Sequence, residues 1–262
     1  MTGTPRPVAL ITGASAGIGT ALAYVFAANG HELALVARRA DRLEALASEI
    51  AAQGHKRPAV LPLDLDARDA VGRLGEDLAQ QGLEPEIVVN NAGFGLIGEA
   101  ASLNVAEQLA MIDLNVRALT ELSLAFVGSL ERRRGGILNV ASVAGFLPGP
   151  GMAVYYATKA YVVSFSQALH QELKPKGVRV TALCPGPVPT EFQARAGMFG
   201  PTFSPILLRS PERVARDGYR GLREGRLLVV PGFANKLVTA IVPLLPRRLV
   251  LAVTAQQQKY RR

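Results

Sequence analysis

Short apolar runs alternate along this chain with longer segments in which apolar and polar residues are mixed. The runs are four to six residues long and rich in Val, Ile and Leu, which is typical of strands buried on both faces of a parallel sheet. The mixed segments between them predict helices. The pattern therefore favours an α/β fold with a doubly wound parallel sheet covered by helices on both faces. The predicted strands are 8–11, 32–37, 58–63, 86–89, 136–140, 178–183 and 226–230.

One predicted helix has an unusual interior. Residues 106–130 form a long apolar-rich segment that carries Asn115 in its middle. Asparagine is a poor residue inside a helix. Asn115 is therefore either a neutral choice on a solvent-facing side or a polar group placed deliberately inside the protein. Further helices are predicted at 20–29, 41–53 and 155–174 and from Pro211 onward.

The region after the sixth strand contains a long connection, residues 191–210. Loops of this length often act as lids over a site. We find no internal repeat and no low-complexity linker, so residues 1–230 are interpreted as one domain and 231–262 as its C-terminal extension. The connection is rich in apolar residues: Phe192, Met198, Phe199, Phe203, Ile206, Leu207 and Leu208.

Composition fits a single globular domain. The chain has 262 residues, 49% of them hydrophobic, which is enough for a sizeable core. Its single cysteine, Cys184, rules out an internal disulfide and favours a reducing compartment. No secretory signal is evident, and no run approaches the roughly 18 apolar residues of a membrane span. We expect a cytoplasmic location.

The positive charge is concentrated in the extension. The net charge is +8, and subtracting the six basic residues of 231–262, which contains no acidic residue, leaves +2 for the rest. Basic and aromatic residues do not interleave as they do on nucleic-acid platforms. The charge is therefore no sign of nucleic-acid binding. The six residues are Lys236, Arg247, Arg248, Lys259, Arg261 and Arg262.

A glycine-rich turn, Thr12–Gly19, lies between the first strand and the helix that follows it. In that context glycines allow a tight turn and close approach of the backbone to a pyrophosphate. The helix N-terminus offers free N–H groups and the positive end of its dipole. The alternative is a turn without a ligand. The candidate dinucleotide-binding residues are Gly13, Ser15, Gly17, Ile18 and Gly19.

The ends of the second and third strands bear on the choice of cofactor. Arg38 and Arg39 follow the second strand, where an acidic residue would bind the ribose of NAD. A guanidinium suits a 2′-phosphate, so NADP is favoured and NAD is the alternative. The arginines could instead be solvated charges at a helix start. After the third strand, Asp64, with Leu65 beside it, either accepts from an adenine amino group or caps a helix near Ala67.

Tyr155 and Lys159 are four residues apart in a predicted helix and therefore share one face. A positive charge nearby favours the phenolate and lowers the pKa of a tyrosine. Such a tyrosine can exchange a proton with a carbonyl or alcohol. Ser142 follows the fifth strand, at the edge where open α/β sheets place their chemistry. This spacing is common by chance, and the preceding motifs give it weight.

Taken together, the motifs resemble the short-chain dehydrogenase/reductase family. The resemblance covers about residues 8–230 and rests on the order of several motifs. It implies a Rossmann-like fold, a nicotinamide cofactor and no metal. It also implies a catalytic set of Asn115, Ser142, Tyr155 and Lys159. The motifs are Thr12–Gly19, Asp64, Asn90–Gly93, Asn115, Ser142, Tyr155 with Lys159, and Pro185-Gly186 with Thr190.

The resemblance also implies a role for each site residue. Tyr155 is the acid or base, and Lys159 lowers its pKa and binds the nicotinamide ribose. Ser142 polarises the substrate carbonyl, and Asn115 holds a water that links Lys159 to solvent. The remaining cofactor residues are Asn91, Gly93, Pro185, Gly186, Val188 and Thr190, of which the last two hold the carboxamide. Homodimers or homotetramers are implied, built on 106–130 and 155–174. One departure is Ala16, where many NADP-using relatives carry a basic residue.

We therefore expect an NADP(H)-dependent oxidoreductase acting on a small apolar ketone or secondary alcohol. An epimerase or dehydratase with retained cofactor, and a cofactor-binding regulator without turnover, are the alternatives. The extension contains two apolar stretches, 237–245 and 249–253, which must bury their faces somewhere. It closes over the substrate cleft, packs on a partner subunit or lies on an anionic membrane. We favour packing on protein, with peripheral membrane contact as the alternative.

Overall fold

Seven parallel strands form one sheet at the centre of the molecule, as the sequence predicts. The structure, a computed structural model, describes residues 4–197 and 205–259. The strand order is β3-β2-β1-β4-β5-β6-β7. The predicted last strand of five residues is reduced to two at the sheet edge. The bounds are β1 Arg6–Thr12, β2 Leu33–Ala37, β3 Ala59–Pro62, β4 Leu83–Asn90, β5 Gly136–Val140, β6 Arg179–Leu183 and β7 Leu228–Val229.

Helices cover both faces of the sheet, which makes the fold Rossmann-like. The strand order reverses between β1 and β4, and a ligand crevice is expected outside the carboxyl ends of the strands at this point. The helices are α1 Gly17–Ala28, α2 Ala40–Ala52, α3 Ala70–Gln80, α4 Val105–Ile112, α5 Leu119–Ala125, α6 Val127–Arg133, α7 Ala153–Leu173, α8 Glu191–Arg195, α9 Pro211–Arg223, α10 Phe233–Ile241 and α11 Arg247–Lys259.

The core lies in two layers because alternate residues of each strand point to opposite faces. Ile11 of β1 packs with Phe26 of α1 in one layer. Leu10, its neighbour, packs in the other with Leu122 of α5 and Leu169 of α7. All five side chains are at most 4% exposed. This packing fixes the strand ends that carry the site.

The predicted single helix 106–130 is wrong in detail. Helical structure runs from α4 to α6, but residues Asp113–Ala118 form a wider π turn, and Phe126 separates α5 from α6. Asn115 lies in the π turn and is 1% exposed. The solvent-facing interpretation of Asn115 is therefore excluded. Single π turns inside helices are frequent at functional sites.

The predicted lid begins with a short helix, α8, rather than with irregular chain. Thr190 caps it, accepting from the Phe192 backbone N–H at 3.4 Å. Three of the apolar residues predicted in this lid, Met198, Phe199 and Phe203, lie outside the described residues.

The C-terminal extension is helical over α10 and α11. Asn235 is buried and donates to the carbonyl oxygens of Leu207 at 3.2 Å and Pro231 at 2.8 Å. The extension is thereby joined to the lid, which agrees with the favoured packing against protein. Among the described residues, none of the helices combines the length and the apolarity needed to cross a bilayer.

Candidate active site

A cavity of about 610 Å³ opens at the carboxyl ends of the central strands. Its lining includes nearly every residue singled out from the sequence. Two predicted site residues, Gly19 and Asn115, are not in the lining and lie behind it. The predicted residues that line the cavity are Gly13, Ser15, Gly17, Ile18, Arg38, Arg39, Asp64, Leu65, Asn91, Gly93, Ser142, Tyr155, Lys159, Pro185, Gly186, Val188 and Thr190.

The glycine-rich turn packs too closely for side chains. Gly13 and Gly17 have φ angles of 65° and 58°, in the left-handed region that glycine adopts without strain. A Cβ added to Gly19 would lie 2.2 Å from the Gly13 carbonyl oxygen and 2.6 Å from Asn91 Nδ2. The helix cap residue, Ala16, makes no side-chain cap bond to α1. The first N–H groups of α1 are therefore available to an anionic ligand.

Asparagines join the turn to the neighbouring strands. Asn91 Nδ2 donates to the Thr12 carbonyl at 2.9 Å, and Thr12 Oγ1 accepts from the Asn91 backbone N–H at 3.0 Å. Asn90 Nδ2 donates to Asn139 Oδ1 at 2.8 Å, which joins β4 to β5. Asn90 is therefore a structural tie between these two strands. These bonds hold the floor of the cavity in place.

Two arginines stand at the outer end of the cavity, each beside a carboxylate. Arg38 Nη1 is 3.8 Å from Asp64 Oδ2, and both side chains are about half exposed. Arg39 Nη1 is 2.9 Å from Glu191 Oε2, and Arg39 also donates to Ser15 Oγ. Surface pairs of this kind contribute little, about 0–1 kcal/mol. The guanidinium groups can therefore exchange these partners for a phosphate.

Asp64 does not cap a helix near Ala67, which was one of its two predicted roles. Its Oδ1 accepts from the Asp66 backbone N–H at 3.2 Å in a local turn, and α3 begins only at Ala70. The carboxylate lines the cavity beside Leu65. Its position fits the other predicted role, acceptance of a hydrogen bond from a ligand in the cavity.

Ser142, Tyr155 and Lys159 come together at the inner end of the cavity. Ser142 Oγ accepts from the Ala144 N–H at 3.1 Å and interacts with the Tyr155 hydroxyl. Lys159 is 6% exposed, its Nζ donates to the Val140 carbonyl at 2.8 Å, and it lies 5.8 Å from the centre of the Tyr155 ring. The i to i+4 spacing in α7 therefore brings a phenol and an ammonium to one face, as predicted.

The proton affinities of this group differ from the prediction. Burial raises the pKa of Tyr155 above its ordinary value of 10, and the hydrogen bond with Ser142 opposes the rise. Burial also lowers the pKa of Lys159 from 10.5 to about 8. The lowered pKa that we expected for Tyr155 is not found in this structure, because desolvation raises the pKa of the buried phenol. Tyr155 is consequently a protonated phenol, and Lys159 is mostly an ammonium at neutral pH.

Asn115 acts on the backbone behind the cavity. Its Nδ2 donates to the Phe94 carbonyl at 2.9 Å and to Thr158 Oγ1 at 3.1 Å, and its Oδ1 accepts from the Phe94 N–H at 3.1 Å. Gly93 allows this approach, since a Cβ there would lie 2.8 Å from Asn115 Oδ1. Asn115 thus joins the π turn, α7 and the loop after β4.

The substrate end of the cavity contains residues that the sequence analysis missed. Asn235 and Val238 come from α10. A third missed lining residue, Arg195 of α8, lies instead toward the outer end, within electrostatic reach of Arg38 and Asp64, and its guanidinium carbon lies 4.2 Å from the centre of the Phe94 ring. No motif marks any of the three. Asn235 is a polar residue among the apolar residues of the extension, and this contrast was the one signal that could have marked it. The apolar lining at this end is Leu147, Met152, Tyr156, Phe192, Leu207 and Val238.

Most of this chain matches the model of a known protein family. A family model described as short chain dehydrogenase matches residues 7–198. The chain is 38% identical over 192 residues to the NADP-dependent 3-hydroxy acid dehydrogenase YdfG of Salmonella typhi, a match that covers 71% of this chain and 75% of that protein.

Two solved structures share the fold over more than nine-tenths of the chain. One is a short-chain dehydrogenase from Sphingobium yanoikuyae in complex with NADPH, with a TM-score of 0.80, 33% identity and coverage of 94% of this chain and 96% of that one. The other is the bulky-bulky ketone specific alcohol dehydrogenase from Comamonas testosteroni, with a TM-score of 0.75, 32% identity and coverage of 92% and 94%.

Proposed function

Because this chain belongs to the short-chain dehydrogenase family of oxidoreductases, we propose that it is an NADP(H)-dependent enzyme that acts on an apolar ketone or secondary alcohol. The observation that carries the proposal is a single cavity lined by the glycine-rich turn, Arg38 and the Ser142, Tyr155 and Lys159 group. A dinucleotide and the reacting group of a substrate can therefore meet in one space.

The residues present fit a dinucleotide. The turn has no room for a Cβ at Gly19, and the uncapped start of α1 offers N–H donors for a pyrophosphate. Gly17 has no room for a side chain either, because a Cβ there would lie 2.9 Å from the Thr190 methyl group. The space for the pyrophosphate therefore lies between the turn and Thr190. We assign the pyrophosphate to this turn. Val188 and Thr190 line the opposite side, where they would hold the carboxamide.

Two features support NADP over NAD. The strand β2 ends at Ala37 without an acidic residue, and Arg38 and Arg39 follow it at the cavity. A 2′-phosphate offers stronger charge-assisted bonds than the exposed carboxylates that these arginines contact here. Similarity to an NADP-dependent dehydrogenase and to a structure holding NADPH supports the same choice.

The inner group supplies the proton chemistry. When bound, the reduced nicotinamide supplies the hydride that reduces a carbonyl carbon. The raised pKa of Tyr155 keeps its phenol protonated, which is the form that can donate a proton to the carbonyl oxygen. Ser142 lies beside that hydroxyl and would polarise the same oxygen. The Lys159 ammonium, 5.8 Å from the ring centre, stabilises the negative charge that develops on Tyr155 as the proton leaves.

The substrate end favours an apolar compound. Aromatic and aliphatic side chains surround the Tyr155 ring, and the Phe192 ring centre is 5.3 Å from it. Burial of aliphatic groups is favourable by about 25 cal/mol per Å². A ketone or secondary alcohol with bulky apolar groups on the carbonyl carbon suits this lining.

The test is reduction of a panel of apolar ketones, followed as NADPH consumption at 340 nm. The Tyr155→Phe variant keeps the ring and removes the proton, so it should lose turnover by a factor of at least a thousand while NADPH affinity changes only a few-fold. Tyr156→Phe, one residue away, is the matched control: because Tyr156 also lines the substrate end, it can change the KM for a ketone, but it should keep most of the kcat. Substantial turnover by Tyr155→Phe, or no turnover of any ketone or alcohol, would overturn the proposal.

We also propose that the enzyme is a homodimer or homotetramer that pairs through α4 and α7. Val105 and Leu109 of α4 are 68% and 55% exposed, and Tyr161 of α7 is 38% exposed. Exposed apolar side chains on adjoining helices are typical of an interface between subunits. Sedimentation should give an oligomeric mass that Leu109→Glu lowers, and a monomeric mass for the unmodified protein would contradict the proposal.

A further inference from the structure

The outer face of α10 is apolar, whereas its two most buried residues are polar. Phe233, Leu237 and Ile241 are spaced four residues apart and therefore share one side of the helix. They are 80%, 49% and 43% exposed. Asn235 and Thr239, on the side toward the protein, are 1% and 9% exposed. This is the reverse of the usual arrangement, in which a surface helix turns its apolar stripe to the core.

Exposed apolar residues continue beyond α10. Leu244, in the turn after α10, is 84% exposed. In α11, Leu249 and Val253 are 51% and 47% exposed, while Thr254 on another side is 5% exposed. Of the 15 large hydrophobic residues that are exposed in the described part of the chain, eight lie between Phe233 and Val253. We call this the outer C-terminal face.

Positive charge accompanies the outer C-terminal face. Lys236 lies on α10 beside the apolar stripe, and Arg247 and Arg248 open α11; all three are exposed. The sequence has no acidic residue after Glu224. A surface that is both apolar and purely cationic matches the interface of a bilayer, where acyl chains lie beneath anionic headgroups.

We propose that the outer C-terminal face docks on the surface of a bilayer containing anionic lipids. α10 and α11 have 9 and 13 residues. A helix needs roughly 20 residues to cross a bilayer, so these two helices would lie in the plane of the interface. A second copy of the chain fits this face less well. A two-fold contact would bring the same cations from both copies together without a carboxylate between them.

Docking has a consequence for the substrate, which rests on the proposed function. The inner side of α10 lines the cavity through Asn235 and Val238, while its outer side carries Phe233 and Leu237. One helix therefore separates the substrate end of the cavity from the bilayer. The substrate class that fits is an apolar ketone or alcohol that partitions into membranes and enters the cavity beside α10.

Vesicle flotation of the full-length protein tests the docking directly. We expect flotation with vesicles of equal parts phosphatidylcholine and phosphatidylglycerol at low salt, weak flotation with phosphatidylcholine alone, and release at high salt. Phe233→Glu combined with Leu244→Glu should lower the bound fraction at least tenfold. Arg247→Gln and Arg248→Gln should each weaken binding roughly fivefold on anionic vesicles.

Two variants outside this face serve as matched controls. Leu227 is 40% exposed near the edge strand, and Arg220 is an exposed cation on α9. Leu227→Glu and Arg220→Gln should float like the unmodified protein. Equal losses in the control variants would mean that binding is a nonspecific charge effect, and would overturn the proposal.

Sedimentation and turnover separate the remaining outcomes. If the protein does not float and Phe233→Glu lowers its mass, the face pairs two subunits and the docking proposal fails. If it does not float and its mass is unchanged, the proposal also fails. Phe233→Glu should leave turnover of a water-soluble ketone intact, because Phe233 does not line the cavity. Flotation without turnover of any ketone or alcohol would sink the proposed function and leave the docking standing.

Discussion

At the floor of the cavity, a methyl group added to Gly19 would lie 2.2 Å from a backbone oxygen, whereas at the cover Phe233 exposes 80% of its surface. The floor is made of strand ends, glycines and buried amides that bond to backbone. The cover is made of α8 and α10, and the Asn235 side chain joins α10 to the chain around it. Small changes should therefore be severe at the floor, where nothing can yield, and mild at the cover, where side chains can adjust.

The largest effect on cofactor binding is expected from Gly19→Ala. The added Cβ meets the Gly13 carbonyl and Asn91 Nδ2, so the turn must shift. We expect NADPH binding, measured by fluorescence titration, to weaken roughly a hundredfold and the free energy of unfolding to fall by about 1–3 kcal/mol. Gly72→Ala in α3 is the control, since nothing lies within 4 Å of its added Cβ. If Gly19→Ala binds NADPH as tightly as the unmodified protein, the glycine-rich turn can shift to accommodate a Cβ and the floor is not rigid.

Arg38→Ala probes the outer end of the floor. Loss of a charge-assisted contact with the 2′-phosphate should cost about 1.5–3 kcal/mol, or roughly tenfold or more in NADPH affinity. NADH affinity should hardly change. Arg42→Ala is matched to it, because Arg42 also contacts a carboxylate, that of Glu191, but does not line this cavity. Equal catalytic efficiency of the unmodified enzyme with NADH and NADPH would refute the cofactor preference.

Lys159→Met tests the buried ammonium through stability. The pKa of Lys159 is lowered from 10.5 to about 8, so the unfolded chain binds more protons than the folded protein between these values. The free energy of unfolding of the unmodified protein therefore increases as the pH rises across that window. The buried ammonium destabilises the folded protein most below pH 8.

Urea unfolding at several pH values measures how much the buried ammonium destabilises the folded protein. The stability of Lys159→Met relative to the unmodified protein should fall by about 1–3 kcal/mol between neutral pH and the upper end of the window. Lys174→Met, on the exposed end of α7, should show no such trend. A difference that stays constant with pH would mean that Lys159 has no lowered pKa.

The smallest effect is expected at the cover, from Asn235→Ala. The change removes the bonds to the Leu207 and Pro231 carbonyls, each contributing about 0.5–1.5 kcal/mol. The KM for a ketone should rise a few-fold, with NADPH affinity unchanged. Asn29→Ala, which breaks a similar bond to Val25 far from the cavity, should alter neither. An equal loss of NADPH affinity in Asn235→Ala would show that the floor and the cover are not independent.

The same contrast explains what could be predicted from the sequence. The strand, glycine turn and helix around Gly13 and Gly17 form a local pattern, and their positions follow from adjacency in the chain. Ser142 was predicted at the carboxyl edge of the sheet, and its grouping with Tyr155 was implied by the family resemblance. Nearly all residues of the cavity floor could therefore be predicted from the sequence.

What escaped prediction depends on contacts distant in the chain or on a balance of energies. Asn235 and Val238 line the cavity only because α10 folds back over it. The pKa of Tyr155 follows from the depth at which α7 is buried, which the spacing of Tyr155 and Lys159 does not report. The π turn at Asn115 is a change of one hydrogen-bond register inside an otherwise helical pattern, and apolar periodicity is too coarse to detect it.

The π turn at Asn115 also bears on how this protein can evolve. Such a turn carries one residue more than an α-helical turn, and one residue rotates the following helix by about 100°. Deleting that residue would leave a more regular helix but would turn α4 and α5 relative to each other. The Asn115 amide that bonds to Phe94 and Thr158 would be displaced by the same rotation. Lineages that keep this site must therefore keep the insertion, while substitutions of the exposed residues around it remain free.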